Sequence, residues 1–172
     1  MLEIEVKIQI KNPELMSQKI LDLGATQHRA RFFEENTLYD YPDQTLTKKR
    51  QAVRLRTTHQ TAFLTFKDHP QKSRTFKIRE EFETEVKNAL QMKKIMKSLG
   101  LVPSFEYKKF RTVFRAKNLK ICVDELPIGS FIELEGEQNH IVRFAESLGF
   151  SRKDFIKKDY VALLLEQERS GI

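Results

Sequence analysis

The chain is poor in the residues that build most redox and soft-metal centres. One cysteine, Cys122, occurs in 172 residues. That excludes an intramolecular disulfide and a cysteine-rich zinc site. The thiol reads as a buried core residue suited to a reducing cytosol, so the expected location is cytoplasmic. Four histidines (His28, His59, His69, His140) are scattered without ligand-like spacing. Long apolar runs are missing too. The longest, Val161 to Leu165, is far too short to span a bilayer, and Glu3, Glu5 and Lys7 stand where a secretion signal needs hydrophobes. Neither a signal nor a membrane partner is expected. Nor is positive charge massed in one arm. The 31 basic and 24 acidic residues leave +7, a mild surplus that favours an anionic ligand. The bases are spaced along strands, and the aromatics alternate with them as core residues would. A nucleic-acid partner is therefore not expected.

What the chain does have is a repeated device. Glutamate, hydrophobe, glutamate occurs as Glu3-Ile4-Glu5, Glu81-Phe82-Glu83 and Glu133-Leu134-Glu135. A predicted helix ending in Leu-Gly follows each copy, at Leu23-Gly24, Leu99-Gly100 and Leu148-Gly149. Basic residues repeat the spacing in Arg54-Leu55-Arg56 and Lys109-Phe110-Arg111, and Thr65-Phe66-Lys67 is a looser copy. Residues two apart share one face of a strand, so each copy puts its charges on one side and its hydrophobe on the other.

The pattern predicts strands over 2–10, 26–41, 51–58, 61–68, 74–86, 102–115, 119–125 and 130–137. Helices are expected over 13–23, 88–99, 139–148 and about 155–168. Asn12-Pro13 opens the first as a cap followed by a first-turn proline. The segments 42–50 and 68–73 read as polar loops flanking the mouth of a site, and Lys48-Lys49-Arg50 and Arg152-Lys153 as solvated loop charge. No linker appears, so residues 1–172 are expected to form one α+β domain. Helices should pack outside the sheet on Ile4, Val6, Phe82, Val86, Ile132 and Leu134.

Strand parity then collects Glu3, Glu5, Glu81, Glu83, Glu85, Asp124, Glu133 and Glu135 on one face. Lys7, Arg54, Arg56, Lys67, Arg79, Lys109 and Arg111 share it. A single Glu-x-Glu pair is ordinarily a solvated sheet face. Six interleaved pairs in one short chain point instead to a closed sheet with a wet, charged interior, because ions of both signs cannot occupy a dry core unpaired. An eight-stranded barrel is about the size that holds one small ligand. Carboxylates without thiol or imidazole suit hard cations such as Mg²⁺ or Mn²⁺. Spaced Arg and Lys suit phosphate oxygens.

The ordered set resembles the CYTH family, the triphosphate tunnel metalloenzymes. Glu3-x-Glu5-x-Lys7 matches the family's N-terminal signature. It is followed by Arg54-x-Arg56, Lys67, Arg79-x-Glu81-x-Glu83, Lys109-x-Arg111, Asp124, Gly129-x-x-x-Glu133-x-Glu135 and Tyr160. The resemblance implies a closed eight-stranded antiparallel β-barrel with helices outside, a divalent metal (Mg²⁺ or Mn²⁺) and a triphosphate substrate. It assigns Glu3, Glu5, Asp124, Glu133 and Glu135 to metal binding. Lys7, Arg54, Arg56, Lys67, Arg79, Lys109 and Arg111 go to the triphosphate. Glu81 and Glu83, acids of the middle strand, are implied in catalysis, with Lys158 (next to Lys157) as the lysine that closes over the phosphates. Asp159 departs from the serine common before the final tyrosine.

Within the family the chain is most similar to class IV adenylyl cyclases, which convert ATP to cyclic AMP and pyrophosphate. The alternative is hydrolysis of thiamine triphosphate or inorganic triphosphate. A non-catalytic nucleotide or polyphosphate binder would keep the bases and lose the acids, and here the acids are all present. Relatives are often dimers, so a homodimer is compatible with the resemblance.

Overall fold

The computed structural model describes residues 2–171. Eight strands form: β1 (Leu2–Ile10), β2 (Thr26–Asp40), β3 (Ala52–Thr58), β4 (Ala62–Lys67), β5 (Lys77–Glu85), β6 (Val102–Ala116), β7 (Leu119–Leu126) and β8 (Gly129–Glu135). They pair in the order β1-β5-β4-β3-β2-β6-β7-β8, and the order closes into an antiparallel barrel. Closure removes every sheet edge, which matters for a chain this rich in strand. The α+β class and the closed eight-stranded barrel agree with the sequence reading.

Among the described residues five helices accompany the strands: α1 (Pro13–Asp22), α2 (Thr45–Lys48), α3 (Ala89–Ser98), α4 (Gln138–Ser147) and α5 (Tyr160–Ser170), with a 3₁₀ turn at Arg152–Asp154. None of them is long and apolar enough to cross a membrane. The caps are local. Asn12 Oδ1 accepts from Leu15 N–H at 2.8 Å, and Asn88 Oδ1 from Gln91 N–H at 3.0 Å. The three Leu-Gly signals end α1, α3 and α4 with glycines at φ +83°, +83° and +90°. An L side chain is strained in that region, which is why glycine recurs there.

The sequence missed α2 and placed the last helix too early. Residues 45–48 turn because the Asp40 carboxylate accepts from Leu46 N–H (2.8 Å), Thr47 N–H (2.9 Å) and Thr47 Oγ1 (2.7 Å). A carboxylate several residues away thus organises an element that local propensity does not signal. The last helix begins only at Tyr160, where Asp159 accepts from Ala162 N–H at 3.0 Å. Aspartate and serine are equivalent N-caps, so the family departure at this position is conservative.

The chain divides into two compact units. One holds Glu3–Phe32, Lys72–Ile78 and the chain from Lys109 onward. The other holds Phe33–Gln71 and Arg79–Lys108 with Leu2. In the first unit the core is a single cluster. Val6 and Ile8 of β1, Ile121 and Val123 of β7, and Ile132 and Leu134 of β8 meet Ile20 of α1 and Ile141 of α4. Each such burial contributes roughly 1.5–3 kcal/mol. In the second unit Leu55, Val86 and Tyr39 meet Met96 of α3 and Leu101. Phe82 departs from expectation. It is 56% exposed, because α3 packs over Val86 and leaves the residue four positions back uncovered.

Candidate active site

In β1, β7 and β8 of the first unit, alternation sends hydrophobes into the helix-covered core and charges to the opposite face. Register then decides which charges meet. Lys7 pairs across β1–β8 with Glu133, and Glu5 with Glu135. Arg111 pairs across β6–β7 with Asp124, and Cys122 across β7–β8 with Glu133.

The side chains follow that register. Lys7 Nζ lies 3.0 Å from Glu5 and 3.1 Å from Glu133. Lys77 reaches the same Glu5 oxygen at 3.0 Å. Asp124 is the most enclosed acid of this cluster, with no solvent exposure. Arg111 donates to both its oxygens at 2.6 Å, Lys109 donates at 3.0 Å and Tyr160 Oη at 2.7 Å. Arg111 also donates to Glu133 at 3.1 Å. Lys120 and Glu135 form a more open pair at 2.6 Å.

Electrostatics in this cluster follow from burial opposed by opposite charge. Burial disfavours the Glu133 carboxylate, but Lys7, Arg111, Lys109 and Lys120 outweigh it and hold the group well below the usual carboxylate range. Burial likewise disfavours the Lys7 ammonium, and Glu133 and Glu5 reverse the outcome and raise it. Tyr160 is raised by burial first and then by Asp124. Cys122 is pushed up to about 11, mainly by burial, so it is an inert thiol in this setting.

The second unit holds a separate cluster. Across β4–β5 Thr65 faces Glu83 and Lys67 faces Glu81. Glu83 accepts from Arg56 Nη2 at 2.9 Å and Thr65 Oγ1 at 2.7 Å, and lies 3.6 Å from Arg54 Nη2. Lys67 pairs with Glu81 at 2.6 Å. Burial disfavours the Arg54 guanidinium, but Tyr107, Glu34, Glu81 and Glu83 raise it overall. Arg79 Nη2 donates to the Arg50 carbonyl at 3.4 Å.

Of the residues singled out by sequence, Glu5, Lys7, Lys109, Arg111, Asp124, Glu133 and Glu135 assemble in the first unit. Arg54, Arg56, Lys67, Glu81 and Glu83 do so in the second, and Arg79 lies on β5 two residues before Glu81 with its guanidinium on the Arg50 carbonyl. Glu3 is half-buried on β1 one alternation from Glu5. Glu85, expected in the same row, is solvent-exposed at the end of β5. Lys158 is not brought to either cluster: its ammonium lies 2.7 Å from Glu166, and both side chains are more than half exposed. Lys157 donates to the Ser73 carbonyl at 2.9 Å. The loops at 42–50 and 68–71 leave the same end of the β3–β4 pair, where Ala52 faces Lys67 and Gln51 Nε2 donates to Asp68 at 2.8 Å.

Sequence reasoning passed over Lys77, Glu34 and Asn36. Lys77 lies two residues before Arg79, so parity alone could have found it. Glu34-x-Asn36 was hidden because Glu35 interrupts the charge–hydrophobe–charge pattern.

The barrel and the ordered charges on it decide the family, whose CYTH domain model matches residues 1–160. The chain belongs to the CYTH family. Solved structures agree in fold. A Vibrio parahaemolyticus protein, provisionally assigned as an adenylate cyclase, superposes with a TM-score of 0.84 at 18% identity, covering 95% of this chain and 98% of its own. A Pyrococcus horikoshii protein gives 0.80 at 24%, covering 94% and 98%. A Hippeastrum protein, proposed as an adenylyl cyclase and found to have a dominant triphosphatase activity, gives 0.68 at 19%, covering 98% and 96%. At these identities the likeness is one of fold. A comparison with curated proteins finds no match.

Among the described residues, no three carboxylate, imidazole or thiol side chains of this CYTH protein converge as a metal-binding group. Asp124, Glu133, Glu5 and Glu135 each face a cation. The donor set still fits a hard divalent ion, since it is carboxylate oxygen without thiolate or imidazole.

Proposed function

We propose that this CYTH protein is a divalent-metal-dependent enzyme acting on a triphosphate, with ATP converted to cyclic AMP and pyrophosphate as the first reading. The observation that carries the triphosphate reading is that its buried acids are neutralised by lysines and arginines of the same clusters. In either cluster a polyphosphate supplies oxygens that can take over the contacts of its bases, Lys7, Lys109 and Arg111 in the first unit and Arg54 and Arg56 in the second. The carboxylates so released would hold Mg²⁺ or Mn²⁺ through Asp124, Glu133, Glu5, Glu135 and Glu3. The metal would supply charge neutralisation on the phosphoryl oxygens. Bases and acids thereby exchange partners without stranding a buried charge, which a one-sided ligand would do.

In this reading Arg54 and Arg56 orient phosphate by charge-assisted hydrogen bonds, and Glu83 holds both guanidiniums in place until the ligand arrives. Glu81 plays the same part for Lys67. Lys158 would act by leaving Glu166 to cover the phosphates. The second reading is triphosphatase chemistry, with water attacking a terminal phosphate. The dominant triphosphatase activity of the Hippeastrum protein of the same fold favours it.

Incubating the purified protein with ATP, thiamine triphosphate and inorganic triphosphate, each with Mg²⁺ and with Mn²⁺, separates the readings. Cyclic AMP and pyrophosphate from ATP supports the cyclase. Orthophosphate without cyclic nucleotide moves the assignment to triphosphatase. No turnover of any of the three overturns the enzyme reading.

A further inference from the structure

Strand β2 carries a buried amide that the reading above leaves unused. Asn36 is 1% exposed and lies opposite Arg56 in the β2–β3 register. Its Nδ2 donates to Glu34 Oε1 at 3.1 Å, and Glu34 is itself fully buried. A carboxylate accepts from the NH₂ end of an amide and not from its oxygen, so this bond fixes which way the side chain faces. The remaining atom, Asn36 Oδ1, is buried and has no hydrogen-bond partner among the described residues. Native interiors seldom leave such an acceptor unfilled unless something else is meant to fill it. Two register positions along, opposite Leu38, Arg54 Nε is also buried without a partner among the described residues.

The two open atoms differ in kind. Arg54 Nε is a donor and suits a phosphate oxygen. Asn36 Oδ1 is an acceptor beside a carboxylate, so a phosphate oxygen would be repelled there, whereas a hydroxyl or amino hydrogen would be bound. Inorganic triphosphate has only acceptors to offer once ionised. A triphosphate esterified to an organic group can carry the missing donor. We infer that Asn36, oriented by Glu34, is a specificity-determining residue that reads a hydroxyl or amino donor on the organic group, selecting an esterified triphosphate over inorganic triphosphate. The inference rests on the triphosphate reading of Arg54 and Arg56.

The test is equilibrium binding, with Mg²⁺ present, of tripolyphosphate, ATP and thiamine triphosphate analogues whose bridging oxygens are replaced by methylene groups, so that neither cleavage can proceed. The wild type should bind the tighter organic analogue at least tenfold more strongly than the tripolyphosphate analogue. Asn36→Leu should lower that organic affinity about tenfold or more and leave the tripolyphosphate affinity within twofold. If Asn36→Leu fails to fold, the double variant Glu34→Gln/Asn36→Leu, which removes the buried charge, is read by the ratio of organic to tripolyphosphate affinity, which should fall about tenfold or more relative to Glu34→Gln alone. Equal wild-type affinities for organic and inorganic ligands, or a parallel fall in both, overturns the role of Asn36 alone. A wild type that binds none of the three overturns the triphosphate reading and this inference with it.

Discussion

Tyr160 Oη donates to Asp124 Oδ2 at 2.7 Å, so the first residue of α5 is tied to the most enclosed carboxylate of β7. Tyr160 also places its ring 4.7 Å from Lys109 Nζ and 5.1 Å from Lys7 Nζ. Tyr160→Phe keeps the ring and removes only the donor to a charged acceptor, so it should cost about 1.5–3 kcal/mol. Asp124→Asn leaves Arg111 and Lys109 facing a neutral amide and should cost more, about 3–5 kcal/mol. Denaturant midpoints at constant slope check the ranking, and a Tyr160→Phe variant as stable as wild type would show the bond to be idle.

Glu133 and Glu135 come from the same strand face but should respond differently. Glu133 is buried against Lys7 and Arg111, so Glu133→Gln should reduce both stability and turnover. Glu135 pairs with Lys120 at side-chain exposures of 29% and 28%, and partly exposed pairs contribute at most about 1 kcal/mol. Glu135→Gln should therefore leave the melting curve nearly unchanged while lowering turnover, if the acid serves the metal. Equal stability losses in the two variants would contradict this division.

Stability should fall at both ends of the pH scale. The Glu133 carboxyl is held below its ordinary 4.5, so its contribution is complete above that value and is lost as acid protonates it in the folded state. The Lys7 ammonium and the Tyr160 phenol are held above their ordinary 10.5 and 10.0. Their contribution is complete below those values and declines as pH rises beyond them, where the unfolded chain gives up its protons first. Thermal midpoints against pH should thus form a plateau with an acid and an alkaline limb. In Glu133→Gln the acid limb should shrink.

Metal and triphosphate should bind synergistically. Tripolyphosphate alone draws off the bases and leaves buried carboxylates uncompensated, and metal alone does the reverse. Calorimetric affinity for tripolyphosphate should rise at least tenfold when Mg²⁺ is added, and excess chelator should abolish turnover. Full turnover in chelator would end the metal assignment.

Lys158 and Glu166 offer a paired check. If the lysine covers the phosphates, Lys158→Met should weaken tripolyphosphate binding and Glu166→Gln, which frees the ammonium, should strengthen it. No change in either variant would make the pair ordinary surface charge.

The sequence alone determined the alternation of β1, β7 and β8, the Leu-Gly helix ends, and the fact that acids and bases share one strand face. These are legible because a period of two and an αL glycine cap are set by a few neighbouring residues. Tertiary structure decided which charge meets which. Lys7 finds Glu133 only through β1–β8 register, and Arg111 finds Asp124 only through β6–β7 register. It also decided that Asp40 winds residues 45–48 into a helix, that Tyr160 turns onto Asp124, and that Asn36 faces Arg56 with one atom left open. Partners on different strands are fixed by register and closure, and no local stretch of sequence contains that information.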